Sequence, residues 1–301
     1  MTIMEFETNT YHEETQYLDL IKRIITDGSL ECGRNGNTLS VFGNMMRFSL
    51  KDGTIPFLTT KKLAWKTCFR ELMWFIQGKT DNQSLVEKGV HIWDGNSSRE
   101  FLDSRGLGHY PEGILGPIYG FQWRHFNAPY NGAGGDYTGC GVDQLQGIID
   151  DLRDPAKRTS RRLIMTAWNP CQIDEMALPP CHVMCQFNVR GGKYLSCALY
   201  QRSGDVGLGV PFNIASYSFL THIIARHCGL EADEFVYFLG NAHIYEEHIG
   251  ALKEQVERDP FPFPRVVIKN VHENIDDYSE ADLEWVEEYK CHPMIKMAMI
   301  A

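Results

Sequence analysis

Apolar residues in the first third of the chain fall at helical spacing, then alternate, then return to helical spacing. In residues 15–28, TQYLDLIKRIITDG, Leu18, Ile21 and Ile25 share one face and an Asp-Gly ends the run, which predicts an amphipathic helix. After the turn-rich Glu31-Cys32-Gly33-Arg34-Asn35-Gly36, the alternation in TLSVFGNMMRFSL predicts strands. LAWKTCFRELMWFIQG predicts a long helix, capped by Thr59 or Thr60 and closed by Gly78. Residues 94–140 are rich in Gly, Ser, Asn and Pro and read as long loops, a length usually associated with function. Beyond them, DQLQGIIDDLRD predicts a helix, and LIMTAW, HVMCQFNV, YLSCALYQ and EFVYFL read as strands. PFNIASYSFLTHIIARHCG is a second strong helix, with Pro at its start and Gly at its end, and YEEHIGALKEQVERDP a third.

Strands and helices do not alternate strictly, so the pattern favours an α+β fold over a doubly wound parallel sheet. A single domain over residues 15–301 is expected, a large mixed sheet covered by long helices. Residues 1–14 form an N-terminal segment that need not be ordered. No internal repeat or low-complexity linker interrupts the chain, and no apolar run is long enough to span a bilayer. The acidic N-terminus lacks the basic-then-apolar order of a signal peptide, and the nine cysteines are irregularly spaced. A soluble, cytoplasmic protein with reduced thiols is therefore expected.

A formal net charge of -10 argues against nucleic acid as the main ligand. It also sets a condition on any anionic substrate, because a local cluster of arginines must outweigh the general field.

Leu178-Pro179-Pro180-Cys181-His182 places a cysteine after two prolines, whose rigid, donor-poor backbone suits a positioned nucleophile. The alternative is a buried cysteine that merely starts a strand. A metal site built on Cys181, His182 and Cys185 is disfavoured, since adjacent Cys-His does not easily share one tetrahedral ion. A guanidinium would raise the thiolate fraction, and Arg202 or the adjacent Arg161-Arg162 could supply it; that pair could equally form a solvated basic corner. Asn213, near the start of an apolar helix, could cap it or pair with a ring imide. His243 and Tyr245 point to one face if their segment is extended, either to bind a sugar hydroxyl or to line the core edge. Glu71, among apolar neighbours, is either a surface carboxylate beside Arg70 or a buried one fit for proton relay.

The order Leu178-Pro179-Pro180-Cys181-His182, then Gln201-Arg202-Ser203-Gly204-Asp205 through Val210-Pro211-Phe212-Asn213, resembles the thymidylate synthase signature. RELMWFIQG, HIWDGNSS, LGPIYGFQWRHF, SRRLIMTAWNP, GNAHIYEEH and HPMIKMAMIA extend the likeness from about residue 15 to the C-terminus. Insertions around residues 97–113 and 126–137 resemble those of the larger eukaryotic and viral members. The resemblance implies reductive methylation of dUMP to dTMP, with methylenetetrahydrofolate as co-substrate and dihydrofolate as product. Cys181 would attack carbon 6 of the uracil. Arg202 would favour the thiolate and hold the phosphate with Arg34 and Ser203. Gln201 and Asp205 would join the dUMP site, Asp205 also among the catalytic residues, while Arg161 and Arg162 would reach across from the second subunit of a homodimer. A sheet face would form that dimer interface. Asn213 would read the imide, and His243 and Tyr245 would hold the deoxyribose hydroxyl. Glu71 would organise a proton relay with Tyr119 and His182 nearby. Trp93, Asn96, Asp205, Gly209 and Phe212 would meet the folate, and Met299 and Ala301 would close over it.

The folate supplies the hydride in this family, so no nicotinamide, flavin or metal is expected, and no G-x-G-x-x-G follows a strand. The chain departs from the family pattern at the shortened Arg34 turn, at Asn241 where an aspartate is usual, and in the tail Ala298-Met299-Ile300-Ala301. The rival readings are a pyrimidine hydroxymethylase on the same fold, a nucleotide- or RNA-binding regulator, and a Cys-His hydrolase. Asn213 and Trp93 argue against the first, the acidic balance against the second, and the adjacency of His182 to Cys181 against the third.

Overall fold

The computed structural model describes residues 11–33 and 36–300; Arg34 and Ala301 lie outside them. In chain order the regular elements begin with α1 (Thr15–Asp27), β1 (Ser29–Gly33), β2 (Gly36–Ser49) and α2 (Trp65–Ile76). Four short helices and one longer one follow: α3 (Gln83–Val86), α4 (Asp94–Ser97), α5 (Arg99–Ser104), α6 (Tyr119–His125) and α7 (Gln144–Arg153). The second half holds β3 (Ile164–Thr166), β4 (His182–Arg190), β5 (Tyr194–Asp205), α8 (Gly209–His227) and β6 (Glu231–Tyr245). A shorter helix α9 (Ile249–Gln255) and a small hairpin of β7 (Val266–Ile268) and β8 (Leu283–Trp285) complete it. No helix among the described residues is long and apolar enough to cross a membrane.

One six-stranded mixed sheet has the order β1-β2-β6-β5-β4-β3. Every pair is antiparallel except β5 with β6, which run parallel. Parallel neighbours need a long crossover, and α8 is that crossover. It lies on β5 and β6 with α2 packed over it, so it is buried on nearly every side. That explains why its sequence is apolar all round rather than striped. Along the strands Cys185, Phe187, Leu195, Cys197, Leu199, Phe235 and Tyr237 turn toward the helices and are buried.

Among the described residues nothing covers the other sheet face. Met45, Phe238, Tyr200 and Met184 form a cross-strand row over four strands, and Phe238 and Tyr200 are each 41% exposed. Phe42, 79% exposed, lies further along β2.

The sequence patterns place most elements correctly and misjudge several ends. Helix α2 starts at Trp65 without a side-chain cap. Thr59 and Thr60 instead bind the buried carboxylate of Glu14, each through its backbone N–H (2.8 and 2.9 Å) and its hydroxyl (2.6 Å). Gly78 does close the helix, at φ +66°. Residues 94–140 contain α4, α5 and α6 rather than loops alone. The turn-rich stretch before residue 36 includes β1, paired with β2, and EFVYFL is the middle of a strand that runs on through GNAHIY to Tyr245.

Glu14 thus pins the segment before α1 to the segment before α2, and Gln255 Nε2 adds α9 by donating to Thr60 Oγ1 (2.8 Å). Removing the carboxylate strands three inward-facing donors, while the Thr59 hydroxyl can turn to Phe261 O (3.2 Å). Glu14→Ala is expected to lower the unfolding free energy by about 3 kcal/mol, read from urea midpoints. A loss below about 1 kcal/mol would show that water replaces the carboxylate at little cost.

Candidate active site

Cys181 is the half-buried residue that precedes β4. Its backbone is held twice: its N–H donates to the Tyr119 hydroxyl (2.7 Å), and its carbonyl accepts from the Arg202 N–H (2.9 Å). The two prolines matter for a second reason. Their carbonyls stand outside the strand ladder, and the Arg202 guanidinium takes both, Nε to Pro180 O (3.0 Å) and Nη2 to Pro179 O (2.9 Å). The cation is thereby fixed beside the thiol. Burial pushes the Cys181 thiol up, while Arg202 and Tyr119 pull it back down.

His182 follows, buried between the rings of Tyr119 and Tyr217 at 5.1 and 5.3 Å. Burial drives its imidazole down to about 4, against the opposing effect of the Asn213 side chain, so it is neutral at pH 7. Its Nδ1 is buried with no hydrogen-bond partner among the described residues. Asn213 is the fifth residue of α8, whose N-cap is Leu208, so its amide is free of the capping role.

Glu71 is buried on α2 rather than displayed beside Arg70. Trp93 Nε1 donates to its Oε1 (2.8 Å). Burial raises this carboxyl to about 7, with the Trp93 bond holding it back. The Trp93 ring lies 6.0 Å from that of Tyr119, which closes a line from Glu71 through Trp93 and Tyr119 to Cys181. A buried carboxyl that titrates near neutrality can give or take a proton at pH 7.

The same end of the sheet gathers a second group. Gln201 is buried, accepts from Tyr237 OH (2.6 Å) and donates to Ser203 O (2.9 Å), so its orientation is set. Ser203 and Asp205 on β5 face Asn241 and His243 on β6, and the Tyr245 ring meets that of His243 edge-on at 5.5 Å. His243 Nδ1 lies 3.0 Å from Asn241 Oδ1. An amide oxygen can only accept, so the His243 proton sits on Nδ1 and Nε2 is left as an acceptor. Asn241 therefore keeps an acceptor where a carboxylate was expected. Gly209 stands between Asp205 and Asn213: a Cβ there would be 3.9 Å from each.

The remaining expected residues are half-buried or exposed. Asn96 is half-buried on α4 and Phe212 half-buried on α8. Met299 is 60% exposed. Arg161 and Arg162 are exposed at the turn before β3, and among the described residues no hydrogen bond or ion pair engages either guanidinium. Gln186 Nε2 donates to Arg161 O (3.2 Å) and stands five residues beyond Cys181 (186 − 181), so the backbone of this turn lies roughly 17 Å along the strand from the thiol. Arg34 and Ala301 fall outside the described residues.

Sequence reasoning missed Lys61, buried below the Asp205–Gly207 corner with its Nζ donating to Gly207 O. Burial lowers it to about 8, and Asp205 opposes that shift. A lysine inside Thr-Thr-Lys-Lys reads as a solvated charge, so the sequence carried no signal for it. Beside Lys61, a cavity of about 590 Å³ opens between the start of α8 and the C-terminal tail, lined by Leu63, Leu208, Phe212, Met294 and Met297.

A family model described as "Thymidylate synthase" matches residues 15–301. The chain is 53% identical over 302 residues to a bifunctional dihydrofolate reductase-thymidylate synthase of Leishmania amazonensis, covering 98% of this chain but 58% of that protein. It thus spans little more than half of such relatives. It is 52% identical over 297 residues to a thymidylate synthase of Saccharomyces cerevisiae, covering 95% of this chain and 97% of that one. With a thymidylate synthase of Homo sapiens the identity is 53% over 289 residues, 96% of this chain and 91% of that one.

The buried Glu71 should leave a trace in stability. Its carboxyl ionises near pH 4.5 when unfolded and near 7 when folded, so between those values the native state binds the extra proton. Stability then falls as pH rises through that window, by up to about 3 kcal/mol. Glu71→Gln should remove this slope, so the variant gains on the parent between pH 5 and pH 8 in urea midpoints. An unchanged difference between the two proteins would mean Glu71 titrates normally.

Proposed function

The chain belongs to the thymidylate synthase family, and from that membership we propose that it methylates dUMP to dTMP, with methylenetetrahydrofolate consumed and dihydrofolate released. The observation that carries this reading is the Cys181 thiol with the Arg202 guanidinium locked beside it by the carbonyls of Pro179 and Pro180.

The thiolate adds to carbon 6 of the uracil ring, and the electron pair moves to make carbon 5 nucleophilic. Arg202 favours the thiolate and, with Ser203, receives the phosphate; Arg34 belongs to the same group by resemblance, and Gln201 lines the dUMP site from behind. Asn213 offers a donor and an acceptor to the imide edge, and His182 Nδ1, buried and unpaired, is a further polar atom beside it. His243 Nε2, left as an acceptor by Asn241, suits a sugar hydroxyl, with Tyr245 beside it. Glu71 holds the proton that moves near the ring, and Trp93 fixes one of its oxygens. The folate supplies the one-carbon unit and the hydride. Asp205, the open corner at Gly209, Phe212, Trp93 and the tail cavity suit a flat, partly apolar molecule of that kind, with Asn96 at its rim.

A homodimer is part of the proposal. The uncovered row of Met45, Phe238, Tyr200 and Met184 is an apolar face of the sort that pairs with another surface. Arg161 and Arg162 are too far from Cys181 within one chain to join its phosphate group, which supports their service to a second copy's site.

Mass spectrometry of the nucleotide after incubation with dUMP and methylenetetrahydrofolate tests the reaction. Formation of dTMP with equal dihydrofolate supports it, and hydroxymethyl-dUMP would move the function to the hydroxymethylase reading. Cys181→Ser is expected to abolish turnover while dUMP still binds in calorimetry, and retained turnover would remove Cys181 from the nucleophile's place. Asn213→Asp should shift preference toward dCMP by at least about tenfold, and unchanged discrimination would refute its role at the imide. Mixing inactive Cys181→Ser protomers with inactive protomers carrying both Arg161→Ala and Arg162→Ala should restore about one quarter of the sites, since half the dimers would be mixed and each would hold one intact site. No recovery after verified subunit exchange would refute the shared site.

A further inference from the structure

His248 belongs to none of the groups above, yet it touches two of them. It closes the turn Glu246–His248 and is 1% exposed. Its Nε2 donates to the carbonyl of Ala298 in the C-terminal tail (2.8 Å). A carbonyl can only accept, so the ring carries a proton on Nε2. Nδ1 is buried without a hydrogen-bond partner among the described residues and stands 3.9 Å from Asp205 Oδ1, beyond bonding distance. Between them lies Gly207. A Cβ on Gly207 would stand 3.0 Å from His248 Nδ1, 3.2 Å from Asp205 Oδ1 and 3.4 Å from Met297 Sδ. The tail, the imidazole and the carboxylate therefore meet over a residue without a side chain, while Lys61 grips its carbonyl from below.

We propose that His248 is a positioning residue that latches the C-terminal tail to the Asp205 corner. Its Nε2–H holds the tail, and its ring packs where Asp205 must be oriented, so docking of the tail and orientation of the carboxylate are coupled through one side chain. The inference rests on the folate-binding reading of Asp205 for its effect on turnover, but the latch itself is a property of the ligand-free chain. The tail has a built-in reporter. Met297 packs against the core, whereas Met299 is 60% exposed two residues on. A thioether oxidises according to its access to peroxide.

The experiment compares the full-length parent protein with His248→Phe, which keeps a ring and removes both nitrogens, and His248→Gln, whose amide can reach the Ala298 carbonyl. Hydrogen peroxide oxidation of ligand-free protein is followed at Met297 and Met299 by peptide mass spectrometry. The latch predicts that Met297 oxidises about tenfold faster in His248→Phe, that Met299 is unchanged, and that His248→Gln restores most of the protection. In turnover, His248→Phe should raise KM for methylenetetrahydrofolate about tenfold with the dUMP dissociation constant unchanged. Equal Met297 rates in all three proteins would overturn the latch. So would a uniform rise at both methionines with a matching fall in dUMP affinity, which marks general unfolding. A parent protein that makes no dTMP would count against the proposed function and leave the oxidation result to judge the latch alone.

Discussion

The parallel pairing of β5 with β6 is the constraint on which the site depends. Two parallel strands end at the same edge of a sheet, so Arg202, Ser203 and Asp205 finish beside Asn241, His243 and Tyr245. The antiparallel β4 begins at that edge, and its first residue follows Cys181. The crossover that parallel pairing requires is α8, which must start where β5 stops, and so it brings Asn213 to the same place. Had β5 and β6 formed a hairpin, their functional ends would lie at opposite edges.

That edge is half-open, but the groups behind it are buried, and their burial sets the chemistry. Burial moves each titratable group toward its neutral form: the Cys181 thiol up, the Glu71 carboxyl to about 7, the His182 imidazole down to about 4. Of these three groups the thiol has a fixed cation beside it, the Arg202 guanidinium. The carbonyls of Pro179 and Pro180 lie outside the ladder, and in accepting from Arg202 they satisfy themselves and hold the charge in one act. Among the described residues Glu71 has a single tryptophan donor, too little to restore an ordinary carboxylate, so its carboxyl stays raised to about 7.

Around the edge runs a belt of segments without regular structure, and residues 59–61 tie it together. Thr59 and Thr60 take Glu14, the Thr59 carbonyl accepts from His292 N–H (2.7 Å), and Arg258 Nη1 joins the Thr60 carbonyl (2.9 Å) to that of Pro293 (2.8 Å). Lys61 then reaches Gly207. The segment before α1, the root of the tail and the Asp205 corner thus share three consecutive residues.

Periodicity made the scaffold legible. The helical spacing of Leu18, Ile21 and Ile25, the all-apolar α8 and the alternation in β2, β4 and β5 are local consequences of which face meets water, and the order of residues carries that directly. The Pro-Pro-Cys step and the clustered resemblance around it also named most of the groups that gather at the sheet edge. Glu71 could not be placed, because a carboxylate beside an arginine in an apolar helix reads equally well as surface or core; burial depends on what α8 presents to it. Thr59 and Thr60 look like helix caps until a distant Glu14 competes for their donors, and Lys61 and His248 look like solvated polar residues until Gly207 is brought between them. Sequence by itself determined the elements and the inventory of chemical groups, since these follow from near neighbours along the chain. Only the tertiary structure decided which groups are dry, which cation faces which thiol and which donors are already taken, because desolvation and hydrogen-bond competition are set by atoms that are close in space and remote in sequence.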